Sequence, residues 1–343
     1  MTVSVKDFQK RLTIALLKKL QFNKISESPL PDPPASIALF AQERFGDIIM
    51  MSPLIRSLHK AYPRCEISII SVNRIADYLQ YDAHVKQVLK AKHPTRDVKN
   101  ILRSHTFDIL FNTKDHPSVT FLYLTTRIKA VQRIGLDHPE HRGFFDRLLS
   151  PPALGTTVQT YLSLLDCLQI EYTDEDYIPY LPDGPVSEEV IHFSKSLQTN
   201  NVVAINLSAS QSYKEWPPHK WAAFLTEINQ PFIVIAMPKQ MADKRNLESR
   251  FSHVIPSPPT KNIFDAGHLI SHSRALLSPD TALVHIASCF NTPVIALYRQ
   301  PLDLRKFPPF SKEQEVLMAE DLEISSIPVK DVIHAFHKLQ ARI

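Results

Sequence analysis

The segment from Ala275 to Tyr298 constrains the fold more than any other part of the chain. An apolar run, Ala275 to Leu277, stops at Pro279, and Asp280 and Thr281 are residues of the kind that open helices. A short apolar helix then leads through Thr292-Pro293 into a second apolar run, Val294-Ile295-Ala296-Leu297-Tyr298, which ends in a loop rich in Pro, Arg and Asp. The pattern is strand, helix start, strand, with polar groups gathered at the carboxyl end of a parallel sheet, where α/β folds bind ligands. The first amides of such a helix are unpaired donors at the positive end of a dipole, which suits a phosphate or diphosphate. An ordinary capped helix inside a buried βαβ unit fits this one segment equally well.

The same alternation runs through the chain from Ser36 onward. Strands are expected at Ile37–Ala41 and Glu66–Val72 with a helix over Asp47–Ala61, and helical and strand patterns continue through Asp108–Asn112 and Val131–Gly135. Polar, Pro-containing sequence at Leu181–Ser187 reads as a junction. The series then restarts with strands at Val202–Leu207 and Phe232–Ala236 and helices at Pro217–Ile228 and Ile263–Ser271. Two βα series of similar size predict two doubly wound domains facing each other across a cleft, at about 36–183 and 188–325. A last helical pattern, Val329–Leu339 within residues 326–343, is expected to be able to cross back to the first domain.

A chain of 343 residues with 44% hydrophobic and 22% charged residues suits two globular domains. No apolar run approaches the roughly 20 residues needed to span a bilayer, and no secretory signal is expected at the N-terminus. Cys65, Cys167 and Cys289 are widely spaced, so they read as buried thiols of a reducing cytoplasm. The charge is unevenly placed. Residues 1–24 hold Lys6, Lys10, Arg11, Lys18, Lys19 and Lys24 against Asp7 alone, a net +5, whereas the whole chain is only +4. On a helical wheel Val5, Phe8, Leu12, Leu16 and Leu20 share one side, opposite most of these basic residues. A Pro-rich spacer (Pro29, Pro31, Pro33, Pro34) follows, so residues 1–35 are expected to form a basic amphipathic helix and its spacer, the helix lying on an anionic membrane surface. The alternative is a helix packed on the body with a solvated basic face. No nucleic-acid partner is expected.

Several motifs are missing or weak. Neither GxGxxG nor GxxxxGK[ST] occurs, and the chain has only six glycines. Asp174-Glu175-Asp176 matches a bare DxD but reads as a solvated loop. His268 and His272 lack a third ligand, as a zinc site would need, and His138-Pro139-Glu140-His141 fares no better. No metal and no cofactor is expected.

Two further segments carry chemistry. In Phe40-Ala41-Gln42-Glu43-Arg44-Phe45-Gly46-Asp47, Gly46 permits a sharp turn at a strand end and Asp47 sits where a helix begins, as its N-cap or as a carboxylate able to accept a proton. In Asn206-Leu207-Ser208-Ala209-Ser210-Gln211-Ser212-Tyr213-Lys214-Glu215-Trp216-Pro217-Pro218, hydroxyl residues and Lys214 follow a strand end. Lys214 is a surface lysine or a diphosphate ligand. Together the three segments resemble glycosyltransferase family 9, the bacterial lipopolysaccharide heptosyltransferases. The resemblance is carried by Gly46-Asp47 with Pro53, by Lys214-Glu215-Trp216-Pro217, and by Asp280-Thr281-Ala282-Leu283-Val284-His285 before the Thr292-to-Tyr298 strand. Phe107-Asp108-Ile109-Leu110 and Arg133-Ile134-Gly135 also have counterparts in the family.

The resemblance implies a GT-B fold, an acceptor-binding first domain and an ADP-heptose-binding second domain, with inverting, metal-independent transfer to a lipid-linked Kdo/heptose core. It implies a cytoplasmic protein, peripheral on the inner face of the inner membrane. Asp47 would deprotonate the acceptor hydroxyl. Lys214, Ser210 and the helix start at Thr281 and Ala282 would stabilise the departing diphosphate, Asp280 would hold the sugar or brace the loop, and His285 would reach a phosphate or face the core. Lys114, Arg127, Lys129, Arg133 and Arg142 are the acceptor anchors this suggests. The chain departs from the family pattern at Ala282, at Leu207-Ser208 and at Arg299-Gln300-Pro301-Leu302-Asp303, all on the donor side. A family member that moves another sugar, or a non-catalytic paralogue that binds a nucleotide sugar, are the alternatives.

Overall fold

The structure, a computed structural model, describes residues 5–19, 28–92, 94–197 and 201–343, with side chains from residue 8 onward. Leu20 and Lys24, and the side chains of Val5, Lys6 and Asp7, lie outside the described residues. The chain divides into two compact units, Met1–Tyr177 and Ile178–Ile343.

The first unit holds strands β1 (Ser36–Phe40), β2 (Glu66–Ser71), β3 (Gln87–Lys90), β4 (Thr106–Phe111), β5 (Lys129–Leu136) and β6 (Arg147–Leu149). They form one sheet in the order β3-β2-β1-β4-β5-β6, and every pairing is parallel. The second unit holds β7 (Val203–Asn206), β8 (Phe232–Ile235), β9 (Ala275–Pro279), β10 (Val294–Tyr298) and β11 (Gln314–Met318). These are also all parallel, in the order β11-β10-β9-β7-β8. β1, β7, β8, β9 and β10 are buried at every position. That is why they read as unbroken apolar runs: helices cover both faces of a parallel sheet. These are two Rossmann-like units, the architecture of the GT-B fold.

Each sheet reverses direction once. In the first unit the chain leaves β1 on one side and returns as β4 on the other; in the second, β7 and β9 flank the same kind of switch. Loops at the carboxyl ends of strands around such a switch point form a crevice where doubly wound sheets bind ligands. Asp47 follows β1, Lys114 follows β4, Lys214 follows β7 and Asp280 follows β9. The topology therefore brings these four predicted residues to the switch points of their own units.

The helix expected over Asp47–Ala61 is two helices, Phe45–Ile49 and Ser52–Ala61. Pro53 is the reason. It has no N–H to give to Ile49 four residues back, and the Ser52 hydroxyl donates to that Ile49 carbonyl at 2.7 Å instead. Gly46 is not a left-handed turn residue either, since the described residues of positive φ do not include it. It lies inside the first short helix, and the chain turns at Gln42 to Arg44.

The final helix, Val329–Gln340, packs within the second unit. Val332, Ala335, Phe336 and Leu339 are buried in the core of the second unit, with Trp221, Phe224 and Phe232. Its apolar face is used there. The N-terminal helix, Val5–Lys19, is attached to the first unit by one face: Ile14 is buried among Leu122, Phe144 and Phe145, with Leu17 packed alongside. No helix of the described residues is long and apolar enough to cross a membrane.

Candidate active site

The loop after β1 is fixed by its neighbour. The Gln42 side-chain amide donates to the Thr113 carbonyl at 2.9 Å, and the Thr113 hydroxyl donates to the Phe40 carbonyl at 2.8 Å. These bonds tie the carboxyl ends of β1 and β4 together and launch the short helix at a defined place. Arg44 occupies the N-cap, so Asp47 is not the cap; it stands in the first turn, where a carboxylate favours the positive end of the helix. Burial nevertheless dominates: it raises the Asp47 carboxyl to about 6, against the lowering pull of Arg44 and Lys114. Asp115 and Glu43 push it up further. A carboxylate held near 6 is ionised at neutral pH yet basic enough to take a proton.

Lys114 is buried, with its ammonium 2.7 Å from Glu43 Oε2 and 4.9 Å from the centre of the Phe121 ring. Its backbone N–H donates to Asn112 Oδ1, which shapes the turn leaving β4. Tyr161, fully buried, lies within electrostatic reach of Asp47 and Asp115. Glu43, Arg44, Asp115 and Tyr161 were not singled out from the sequence. Arg44 and Glu43 adjoin the Gly46-Asp47 pair, and that proximity was the available signal.

The other basic residues proposed as acceptor anchors separate by position. Arg142 is exposed in the turn after β5, at the carboxyl edge of the sheet with Asp47. Arg127 ends a helix and Lys129 begins β5, so both lie at the opposite, amino edge. Arg133 is a correction. Only 2% exposed, it donates from Nε and Nη2 to Asp146 at 3.1 Å each, and its backbone N–H bonds the same carboxylate at 2.7 Å. Its charge is matched inside the core and is not presented to a ligand.

In the second unit, the carboxyl ends of β7 and β9 meet through Asn206. Its amide donates to Ser278 Oγ at 2.9 Å, to Thr281 Oγ1 at 3.1 Å and to the Ser208 carbonyl at 3.1 Å. This asparagine was also missed as a site residue, although a polar residue closing an apolar strand is a visible signal. Thr281 caps the helix Ala282–Cys289 by accepting from the Leu283 N–H. Ala282 is the first helical residue and does not need positive φ, so the backbone conformation there accepts a methyl.

Lys214 forms an ion pair with Asp280, whose carboxyl burial pushes up and Lys214 pulls back down. Two residues on, Trp216 explains the spacing of the motif. It is buried, its indole N–H donates to the Ile327 carbonyl at 3.0 Å, and it packs edge-on against Trp221 at 4.8 Å. Pro217 then caps the helix Pro218–Glu227. The tryptophan thus anchors a loop whose lysine reaches the β9 end. His285 is buried near Lys214, and burial first, then that ammonium, hold its imidazole down at about 3. It is neutral and can offer a phosphate no more than a hydrogen bond. Ser210 is exposed in the loop after β7. The departing loop at Arg299 to Asp303 is satisfied internally: Arg299 pairs with Asp303 at 3.2 Å and stacks on Tyr213 at 4.9 Å.

Asp176 accepts from the Thr173 N–H at 2.8 Å, so that acidic triplet closes its own turn. His268 bonds Ser194 and His272 bonds a backbone carbonyl, both as packing contacts.

Comparison with known proteins agrees with this fold. The family model for glycosyltransferase family 9 (heptosyltransferase) matches residues 95–329. Lipopolysaccharide heptosyltransferase 3 of Escherichia coli is 23% identical over 331 residues, covering 86% of this chain and 96% of its own length. A glycosyltransferase family 9 structure from Veillonella parvula superposes with a TM-score of 0.69 at 16% identity, covering 94% of this chain and 99% of that one. The E. coli heptosyltransferase WaaC with ADP gives 0.69 at 16%, covering 89% and 99%, and E. coli ADP-heptose lps heptosyltransferase II gives 0.69 at 17%, covering 90% and 99%. With its family model matched over most of its length, the chain belongs to glycosyltransferase family 9, the heptosyltransferases.

Proposed function

We propose that the chain transfers heptose from ADP-heptose to a hydroxyl of a lipid-linked Kdo/heptose core acceptor, with inversion and without a metal ion, at the inner face of the inner membrane. The observation that carries this is Asp47, a carboxylate poised near 6 at the switch point of the first sheet. Binding alone needs no base, which favours catalysis over a non-catalytic paralogue. Asp47 takes the proton of the acceptor hydroxyl as its oxygen bonds the anomeric carbon. The bond from that carbon to the diphosphate breaks, and its electron pair leaves with ADP. Lys214 exchanges part of its pairing with Asp280 for the diphosphate, helped by the first amides of the helix Ala282–Cys289 and by Ser210. Asp280 orients the lysine and receives sugar hydroxyls. Lys114 and Arg142 attract acceptor carboxylate or phosphate; Arg127 and Lys129, at the far edge of the sheet, are the weaker anchors.

The decisive test is a donor screen by thermal shift followed by transfer to a short soluble Kdo-bearing acceptor. ADP-heptose is expected to stabilise the protein where UDP- and GDP-sugars do not, and transfer is expected to persist in EDTA. Stabilisation by UDP- or GDP-sugars instead would assign another donor. Loss of activity in EDTA with rescue by magnesium or manganese would return Asp174 and Asp176 to consideration. Replacement of Lys214 provides a separate check. Lys214→Ala is expected to weaken ADP itself by roughly 10- to 100-fold, the range for a hydrogen bond to a charged group, and to slow transfer as well. Unchanged ADP affinity in titration calorimetry would remove Lys214 from the diphosphate.

A further inference from the structure

The N-terminal helix has two apolar faces and only one is covered. Ile14 and Leu17 face the first unit, where Ile14 is 3% exposed. Arg11 pairs with Glu140 at 3.6 Å and the Lys18 ammonium lies 5.6 Å from the Phe144 ring, so this face is held by charge as well as by packing. Phe8, Leu12 and Leu16 are 64%, 53% and 51% exposed. At about 100° per residue they share one arc of the helix, on the side away from Ile14. The other exposed large apolar side chains of the described residues are scattered through both units. A contiguous bare stripe of this kind marks an interaction surface.

Charge decides what covers it. Residues 1–24 carry six basic residues against one aspartate, while the other 319 are almost balanced, with 33 basic against 34 acidic. Lys19 is exposed on the same arc as the stripe, and Arg11, which pairs with Glu140, is exposed at its flank. A second copy would bring the same positive helix against this one, and like charges disfavour that pairing. An anionic bilayer surface supplies both an apolar layer for Phe8, Leu12 and Leu16 and negative headgroups for Lys19 and Arg11.

We infer that the outward stripe of this helix is the foot by which the first unit stands on anionic lipid, while the inward face fixes the helix to the protein. The helix is then both brace and anchor, and the acceptor-binding unit is the one held at the membrane. This shares only the membrane setting with the proposed chemistry, so the two fail separately.

The test uses the full chain and vesicles of phosphatidylglycerol and phosphatidylcholine, against vesicles of phosphatidylcholine alone. The protein is expected to sediment with the anionic vesicles, less so as salt rises, because exposed charge is screened over roughly 8–10 Å. The double substitution Leu12→Glu and Leu16→Glu is expected to lower that binding by roughly tenfold or more. Its melting temperature and ADP affinity should stay at wild-type values. A second variant, Phe8→Trp, should show a blue-shifted emission component on anionic vesicles only. Undiminished vesicle binding by the double variant would overturn the inference. So would a fall in its melting temperature, which would mean the stripe is packed, or a wild-type dimer that the double substitution dissolves, which would make a second copy the occupant.

Discussion

Asp47→Asn is expected to slow transfer by about 10²–10⁴-fold, the usual contribution of a general base. The substitution keeps shape and removes only the capacity to accept a proton. Donor affinity, proposed here to belong to the second unit, should be unchanged. Stability has a definite sign. The folded carboxyl is raised from 3.8 to about 6, so the folded state holds its proton more tightly than the unfolded chain. The destabilising effect of this group therefore sets in as pH rises between those values and is fully present above about 6. Removing the charge should leave the melting temperature at pH 8 equal to or above that of the wild type. A variant that loses activity because it unfolds would contradict this, and one that turns over at near-wild-type rate would reduce Asp47 to a first-turn helix residue.

The same shift predicts the wild-type pH profile. Transfer needs ionised Asp47, so kcat/KM should fall on the acid side with a midpoint near 6 in the free enzyme. A midpoint near 4 would mean that the carboxylate is solvated in the working state. Arg44 and Lys114 oppose the rise while Asp115 and Glu43 add to it, so the midpoint is a balance struck around one half-buried carboxylate.

What could be read from the amino acids was whatever depends on neighbours in sequence. β1, β9 and β10 announced themselves because both their faces are covered. Lys214-Glu215-Trp216-Pro217 was legible as a unit because Trp216, Pro217 and the helix after them form one local device. Thr281 was recognisable as a cap for the same reason. The break at Met50 and Met51 was also written locally, in Pro53 and the hydroxyl of Ser52 that replaces its missing donor, yet an apolar run on both sides concealed it. Partnerships across the fold were not legible. Lys214 and Asp280 are 66 positions apart and became a pair only when β7 and β9 lay side by side. The two-faced character of the N-terminal helix was hidden too. One wheel displays one dominant stripe, and Ile14, the residue that holds the helix down, falls outside it.

Arg133 shows how far a charge can mislead, and its partner yields the largest expected stability effect. An arginine in a strand of an α/β unit reads as surface or ligand-binding, because arginine is almost never fully buried without a partner. Here the partner is Asp146, whose side chain is 0% exposed against 2% for Arg133. It sits after the turn that follows β5, immediately before β6, and its two oxygens receive Nε, Nη2 and the Arg133 backbone N–H. Both charges were stripped of water, so the pair as a whole adds little net stability, whereas half of it is costly. Asp146→Ala leaves a buried guanidinium without its carboxylate and is expected to destabilise the first unit by about 3–5 kcal/mol. Denaturant unfolding should register this as a lower midpoint for that unit. Binding of ADP, proposed for the second unit, should survive at temperatures where the first unit is still folded. The double variant Arg133→Met with Asp146→Leu should recover much of the loss, because two apolar side chains of similar volume leave no buried charge. Recovery in the double variant separates a matched pair from a site for acceptor anions. If Asp146→Ala were neutral in stability but raised the acceptor KM, Arg133 would be a ligand after all.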